Sequence, residues 1–127
     1  MRSIFVNLPV QDLAASRAFF AGLGFGFNDT YSDDSAACLV VADNISVMLV
    51  SHPRFTDFIT DAIADAHSTT EVLLCLSCDS RAEVDDLTDK AIAAGGKPYR
   101  APEEHGPMYG RSFTDLDGHV WELMSMG

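Results

Sequence analysis

The segment His105–Arg111 concentrates side chains that can do chemistry. It places a histidine, a tyrosine and an arginine at the start of a run typical of a strand. His105 could anchor a ligand, shuttle a proton or bind a metal, and the alternative is a solvent-exposed loop histidine. Tyr109 and Arg111 share one face of such a strand, which makes both candidate ligand-binding residues. Arg111 could clamp a carboxylate or phosphate, or form an ion pair with Glu122, and we favour the ion pair.

Glu122 lies within the last apolar run of the sequence. A carboxylate on a largely buried strand costs free energy unless it is paired or hydrated. One alternative is a structural carboxylate bonded to Arg111 or to a backbone amide. The other is ligand recognition, or a general base whose pKa is raised by burial. Glu122 and His105 are therefore the candidate catalytic residues, whereas Asp115 and Asp117 are expected only to shape a turn.

The three cysteines, Cys38, Cys75 and Cys78, predict free thiols. An odd count without an export signal is typical of a reducing compartment, so we expect a cytoplasmic protein. Cys75 and Cys78 have the spacing of a redox pair, but they lie on a strand-like run. Residues three apart on a strand face opposite sides, so we expect no redox role.

Composition excludes several classes of partner. The chain has 127 residues, 47% of them hydrophobic, and a net charge of −11. This length predicts a single domain, 1–127, with its own core. The acidic balance argues against binding to nucleic acid or to anionic lipid, and it is compatible with a neutral or cationic small ligand. No apolar run approaches the roughly 18 residues that a membrane span needs.

The elements that position these residues form a repeated pattern. Residues 1–51 predict a strand, a helix that begins after Asp12, and three further strands; residues 70–127 repeat this βαβββ order with a helix after Asp79–Ser80. An apolar stripe over residues 53–67 predicts a connector helix of about three turns. A loop is expected over 102–106. The predicted strands are 4–10, 25–30, 35–41, 45–50, 72–78, 97–100, 108–114 and 119–124.

Two motifs on this pattern resemble the vicinal oxygen chelate superfamily, which includes glyoxalase I, bleomycin-resistance proteins, extradiol dioxygenases and fosfomycin-resistance enzymes. They are V-x-D-L-x-x-S-x-x-F-F-x-x-L-G-F at Val10–Phe25 and G-R-S-F-x-D-L-D-G-H-V-W-E-L at Gly110–Leu123. The chain looks most like the small bacterial proteins labelled predicted lactoylglutathione lyases. The resemblance implies an α+β fold whose two tandem βαβββ modules form one curved, cup-shaped mixed sheet. It also implies a ligand on the concave face, and a homodimer.

In the metal-dependent members of that superfamily, the first and last strands of each module supply the ligands of one divalent ion. The matching positions here are Phe5, Met48, Leu73 and Glu122. Three of these side chains are poor ligands for a hard cation, so the resemblance implies that most of the usual ligands are missing. A shift of two residues keeps the face and offers Asn7 and Glu71, which with Glu122 and His105 could form a displaced site. We therefore expect no cofactor, with a divalent metal as the alternative.

Two functions of different classes remain open. The first is a binding protein whose apolar cup, with a few polar anchors, holds a small molecule. The negative net charge of the chain is compatible with a cationic ligand. Its expected lining residues are Phe5, Met48 and Leu73, with Asn7, Glu71 and Glu122 as the polar anchors. The alternative is a lyase, isomerase or dioxygenase that uses a displaced metal including Glu122, or a metal-free enzyme with Glu122 or His105 as general base.

Overall fold

The chain folds into two compact units, Met1–Ala64 and Asp65–Gly127, in a computed structural model that describes all residues, Met1–Gly127. Each unit holds one mixed sheet and one long helix, in the order strand, helix and further strands. This confirms the predicted α+β class. The first unit has the predicted βαβββ order, and the second has the same order with one additional short strand, Glu103–His105. A single domain, and one cup-shaped sheet made from both modules, stay predictions.

The elements of the first unit are β1 (Ile4–Val10), α1 (Leu13–Gly22), β2 (Gly26–Asn28), β3 (Ala36–Ala42) and β4 (Ile45–Ser51), with one 3₁₀ turn at Asp29–Tyr31. The strand order in the sheet is β1-β4-β3-β2, and β1 runs parallel to β4. The Asp12 carboxylate accepts a hydrogen bond from the Ala15 amide at 3.0 Å, which confirms the predicted N-cap of α1. α1 buries Phe19 and Phe20 completely or nearly so, and these rings form part of the core of this unit.

The predicted connector helix over 53–67 is wrong. The structure has only a four-residue helix, α2 (His52–Phe55), and one 3₁₀ turn at Thr56–Phe58. Ile59 is extended (φ −126°, ψ 162°), which ends the helical path. Further along, the Asp65 carboxylate accepts a hydrogen bond from the His67 amide at 3.0 Å. Local bonds of this kind offer the backbone an alternative to a helix, and the apolar stripe alone did not outweigh them.

The elements of the second unit are β5 (Leu73–Ser77), α3 (Arg81–Ala93), β6 (Lys97–Pro98), β7 (Glu103–His105), β8 (Met108–Thr114) and β9 (Val120–Ser125). The strand order is β5-β9-β8-β6, and β7 pairs with the start of β8. β5 runs parallel to β9, and the neighbours of β8 are antiparallel to it. The expected loop over 102–106 is therefore wrong in part, because β7 and β8 form a hairpin. Gly106 has a φ of +62°, which suits the two-residue turn between these strands.

Reciprocal side-chain bonds begin α3. The Ser80 hydroxyl accepts a hydrogen bond from the Glu83 amide at 3.1 Å, and the Glu83 carboxylate accepts one from the Asp79 amide at 2.9 Å. This resembles a capping box in which the acidic side chain reaches one residue further back. α3 then buries Val84, Thr88 and Ala91, and it packs against β8 and β9. α3 therefore covers one face of the second sheet, and it does not cover the other face.

The turn between β8 and β9 is organised by the Asp115 carboxylate. This carboxylate accepts hydrogen bonds from the amides of Asp117 (2.9 Å) and His119 (3.0 Å) and from Trp121 Nε1 (2.9 Å). Burial raises the pKa of the Asp115 carboxyl, while the charge of His119 and the bond from Trp121 act in the opposite direction. The prediction that Asp115 shapes the turn is confirmed, whereas a role of the Asp117 side chain stays a prediction. His119 is buried in the same turn. No helix in the structure combines the length and apolar character that crossing a membrane would need.

Candidate functional site

A row of three polar side chains crosses the middle of the second sheet, on the face away from α3. Glu122 on β9 lies directly opposite Cys75 on β5 and Ser112 on β8. Opposite residues on neighbouring strands place their side chains on the same face, and in the antiparallel pair of Ser112 and Glu122 the Cβ atoms are about 4.5–5.5 Å apart. The period-2 alternation of three strands therefore brings a thiol, a carboxylate and a hydroxyl into one line.

This row forms the floor of an open cleft of about 160 Å³, which we call the Glu122 cleft. Its lining residues are Cys75, Ala101, Glu103, Met108, Gly110, Arg111, Ser112, Glu122, Leu123 and Met124.

Two methionines form the apolar part of the Glu122 cleft. Met124 lies two residues beyond Glu122 on β9, and its partner across the sheet is Gly110 on β8. A Cβ atom added to Gly110 would lie 3.7 Å from Met108 Sδ, so the Met108 thioether covers the space above this glycine. The cleft therefore has a carboxylate at one side and thioethers at the other.

The Glu122 carboxylate makes no hydrogen bond or ion pair with any residue of the chain, although Glu122 is only partly exposed. The predicted ion pair between Glu122 and Arg111 is wrong. Ser112, not Arg111, lies opposite Glu122, and alternation along β8 turns Arg111 towards the helix side of the sheet. Burial, and secondly the charge of Glu122, raises the pKa of the Cys75 thiol.

Tyr109 and Arg111 share a face, as predicted, but their polar groups bind α3. The Tyr109 hydroxyl donates a hydrogen bond to Asp85 Oδ1 at 2.5 Å, and Arg111 Nη1 lies 3.1 Å from Asp85 and 3.0 Å from Asp89. The bond to Asp85 is the main factor that raises the pKa of the Tyr109 phenol, and the same bond lowers the pKa of the Asp85 carboxyl. Arg81 stacks on the Tyr109 ring at 4.0 Å from its centroid. Arg111 still contributes to the wall of the Glu122 cleft, but its guanidinium is already neutralised.

The β7–β8 hairpin supplies the rim of the cleft. Glu103 lines the cleft and pairs with Arg100 at 2.9 Å and with His105 Nε2 at 3.3 Å. His105 lies on β7 instead of in a loop, with 69% of its side chain exposed, and it is not a lining residue of the cleft. Its proposed catalytic role stays a prediction. Arg81 of α3 pairs with Glu104, which ties the hairpin to the helix.

The remaining predicted site residues lie on strands at or near the sheet edges, or just before such a strand. Asn7 on β1 is opposite Met48 on β4, and Phe5 shares their face two residues earlier, so the first unit brings these three together. The Phe5 and Asn7 side chains are exposed. In the second unit, Leu73 is exposed and lies two residues before Cys75 on the same face, and Glu71 precedes β5.

Eight of the ten lining residues were not predicted as site residues: Cys75, Ala101, Glu103, Met108, Gly110, Ser112, Leu123 and Met124. Cys75 was considered only as half of a possible redox pair. The signal that would have found Cys75 is the strand period, because it lies two residues after Leu73. Ser112 and Met124 follow from the same period, counted from Gly110 and Glu122. Met108 follows from this period as well, because it lies two residues before Gly110 on β8.

No group of three or more histidine, cysteine, aspartate or glutamate side chains in the structure is arranged to hold a metal ion. The predicted displaced set, which includes Asn7, Glu71, Glu122 and His105, therefore does not form a cluster of three such groups.

Both the sequence and the fold are similar to those of known proteins. Residues 2–42 match a family model described as bleomycin resistance protein-like N-terminal. A hypothetical protein from S. aureus is 29% identical, with a TM-score of 0.84 over 98% of this chain and 94% of its own. No protein among the curated ones matches the sequence.

Two further solved structures share the fold at lower identity. A glyoxalase/bleomycin resistance protein/dioxygenase family enzyme from Burkholderia phytofirmans is 22% identical, with a TM-score of 0.79 over 97% of each chain. A genomically encoded fosfomycin resistance protein from Listeria monocytogenes is 18% identical, with a TM-score of 0.70 over 98% of this chain and 93% of its own. Together these matches cover both βαβββ units.

Proposed function

We propose that this chain is a glyoxalase-like protein of the vicinal oxygen chelate superfamily that binds a small molecule in the Glu122 cleft. The observation that carries the proposal is the Glu122 carboxylate, which lines an otherwise largely apolar cleft without a partner. A partly exposed carboxylate without a partner in the chain is available for a charge-assisted hydrogen bond, and a ligand that donates to it would gain that bond.

The four positions that correspond to metal ligands do not fit a divalent ion. Phe5 and Leu73 carry hydrocarbon side chains, and the Met48 thioether is too soft a donor for a hard cation. Only Glu122 offers an oxygen. We therefore propose that the cleft binds its ligand through this chain's own side chains.

The charge around the cleft favours a positive or hydrogen-bond-donating ligand. Glu103 is neutralised by Arg100, and Arg111 by Asp85 and Asp89. Glu122 is thus the uncompensated charge of the cleft. The net charge of −11 adds a long-range attraction for cations.

Gly110 offers a direct test of the proposal. A Cβ atom there would make ordinary contacts, 3.5 Å from the Leu123 carbonyl and 3.7 Å from Met108 Sδ. Gly110→Val should therefore fold, because strands accept β-branched residues, while its methyl groups fill the cleft. Gly26→Val is the matched control, since Gly26 also lies on a strand and has nothing within 4 Å of an added Cβ.

The experiment is a thermal-shift screen of neutral, cationic and anionic fragments against the wild type and both variants. A fragment at ten times its Kd should stabilise the wild type and Gly26→Val by about 1.4 kcal/mol, and Gly110→Val much less. Fragments that stabilise all three proteins equally, or a broad set with none that binds, would contradict the proposal. Elemental analysis is a second readout: about one tightly bound ion per chain, lost in Glu122→Ala, would favour a metal enzyme instead.

A further inference from the structure

We infer that the Glu122 cleft takes an organic cation with a single aromatic ring, whose positive group lies at Glu122 and whose ring packs against Met108 and Met124. This inference rests on the proposed function and narrows it to one class of ligand. It follows from three independent properties of the cleft: its charge, its size and the chemistry of its walls.

The charge of the cleft selects a cation and places it. Two carboxylates line the cleft, but Glu103 already has Arg100 at 2.9 Å and His105 at 3.3 Å. Glu122 has no such partner, and its neighbours across the sheet, Cys75 and Ser112, carry no positive charge. The positive group of a ligand would therefore gain most at Glu122, where a charge-assisted hydrogen bond can form.

The size of the cleft limits the ligand to one ring. Its volume is about 160 Å³, and an apolar protein cavity of roughly 150 Å³ holds one benzene molecule. A fused or two-ring ligand would extend out of the cleft, whereas a single ring with a short aminomethyl arm fills it.

The walls of the cleft favour an aromatic ring over an aliphatic one. The Met108 sulfur lies over Gly110, and Gly110 is the cross-strand partner of Met124. Both methionines line the cleft, so their thioethers are the apolar surface that a ligand ring would meet beside Gly110. Thioether sulfur makes favourable contacts with aromatic rings, an interaction that a saturated ring does not offer.

Three probes of similar size separate these contributions: benzylamine, benzyl alcohol and cyclohexylmethylamine. Titrations of the isotope-labelled protein followed by NMR give a Kd for each and show which amides move. Benzylamine should shift the amide signals of Gly110, Ser112 and Glu122. Benzyl alcohol should bind about tenfold more weakly, because it lacks the charge. Cyclohexylmethylamine should bind a few-fold more weakly than benzylamine, because it lacks the ring.

The variant Glu122→Gln tests whether the positive group of the ligand lies at Glu122. It keeps the shape of the side chain and should weaken benzylamine about tenfold while leaving the Kd of benzyl alcohol unchanged. Asp86→Asn is the matched control, because it also removes one negative charge from the second unit, but Asp86 lies on α3 and pairs with Lys90. Its affinity for benzylamine should equal that of the wild type.

Each contrary outcome overturns a different claim. Equal affinity for benzylamine and benzyl alcohol, or no effect of Glu122→Gln, would refute the cation at Glu122 but would leave binding in the cleft standing. Equal affinity for the two amines would refute the aromatic preference. The inferred ligand class is wrong if none of the three probes binds while other fragments bind the wild type and bind Gly110→Val much more weakly. If no fragment binds in that manner, the proposed function itself fails.

Discussion

Glu122 affects the reactivity of neighbouring side chains, in addition to its proposed role in binding a ligand. Its charge, together with burial, disfavours the thiolate of Cys75 across the strand pair. Next to the end of β5, burial is the main cause that raises the pKa of the Cys78 thiol from 9.0 to about 12, and the hydrogen bond and charge of Glu83 account for part of this rise. The two thiols that share redox-pair spacing are thus held in their protonated, unreactive form, since only the thiolate is nucleophilic.

This environment predicts slow labelling of Cys78. In a Cys75→Ser variant, Cys78 should react with an aromatic disulfide reagent roughly 30- to 60-fold more slowly in the native protein than in the unfolded chain. Because the pKa of Cys78 is raised by about three units, the fraction of Cys78 present as thiolate falls about a thousandfold. A thiolate of higher pKa is more nucleophilic, and this recovers part of the lost rate. The absorbance of the thiol that the reagent releases at pH 8 measures the rate of labelling. Cys38 is buried and should stay unlabelled in the native protein, so it is an internal control.

The role of Glu83 in that rate can be checked with Glu83→Gln. The amide retains an acceptor for the Asp79 amide and so preserves the start of α3. Its lost charge should lower the pKa of Cys78 and speed the labelling. A native rate equal to the unfolded one, or a variant no faster than the parent, would refute the assigned cause.

At the residue scale, side-chain direction could be predicted from the sequence but side-chain partners could not. Alternation along β8 correctly put Tyr109 and Arg111 on one face. Their partners, Asp85 and Asp89, lie on α3, about 25 residues earlier, and depend on how that helix rotates against the sheet. A sequence pattern fixes which residues share a face of one element, but it does not fix which residues of the next element meet them.

At the element scale, the most predictable parts are those where several local signals agree. β1 and β8 begin and end at the predicted residues, 4–10 and 108–114, because apolar alternation is bounded there by turn residues. The connector helix failed because only one signal, the apolar stripe, supported it. β7 was missed because Glu103–His105 is polar, and its place in the sheet comes from its hairpin with β8.

The β8–β9 turn should require a glycine at Gly118, because the backbone of a segment outside the turn lies too close for a side chain. Gly118 has a φ of +88°, and a Cβ atom there would lie 2.8 Å from backbone atoms of Ala66 and His67. Gly118→Ala should therefore lower the free energy of unfolding by about 2–4 kcal/mol, from backbone strain plus the displaced segment. Gly106→Ala is the control, since Gly106 also has a positive φ but open space around it. Urea denaturation measures both variants, and equal losses would show that the contact with Ala66 and His67 contributes nothing.

At the scale of the whole molecule, each unit leaves one apolar strand at the edge of its sheet. Ile4 and Phe5 on β1 are 56% and 50% exposed, and Leu73 on β5 is 55% exposed. β1 and β5 are each the end strand in the order of their sheets. Exposed apolar edge strands tend to pair with another strand, and the net charge of −11 keeps the rest of the surface from associating nonspecifically.

We therefore propose that the chain forms a homodimer that covers at least one of these edges. Light scattering coupled to gel filtration should give twice the chain mass of 13.7 kDa at micromolar concentrations. Ile4→Glu places a charge on the β1 edge and should shift the equilibrium towards the monomer, because a charge blocks strand pairing. Tyr31→Glu is the matched control, since Tyr31 is also exposed but lies in a 3₁₀ turn. A monomeric wild type would refute the dimer, and a dimer that survives Ile4→Glu would move its interface away from the β1 edge.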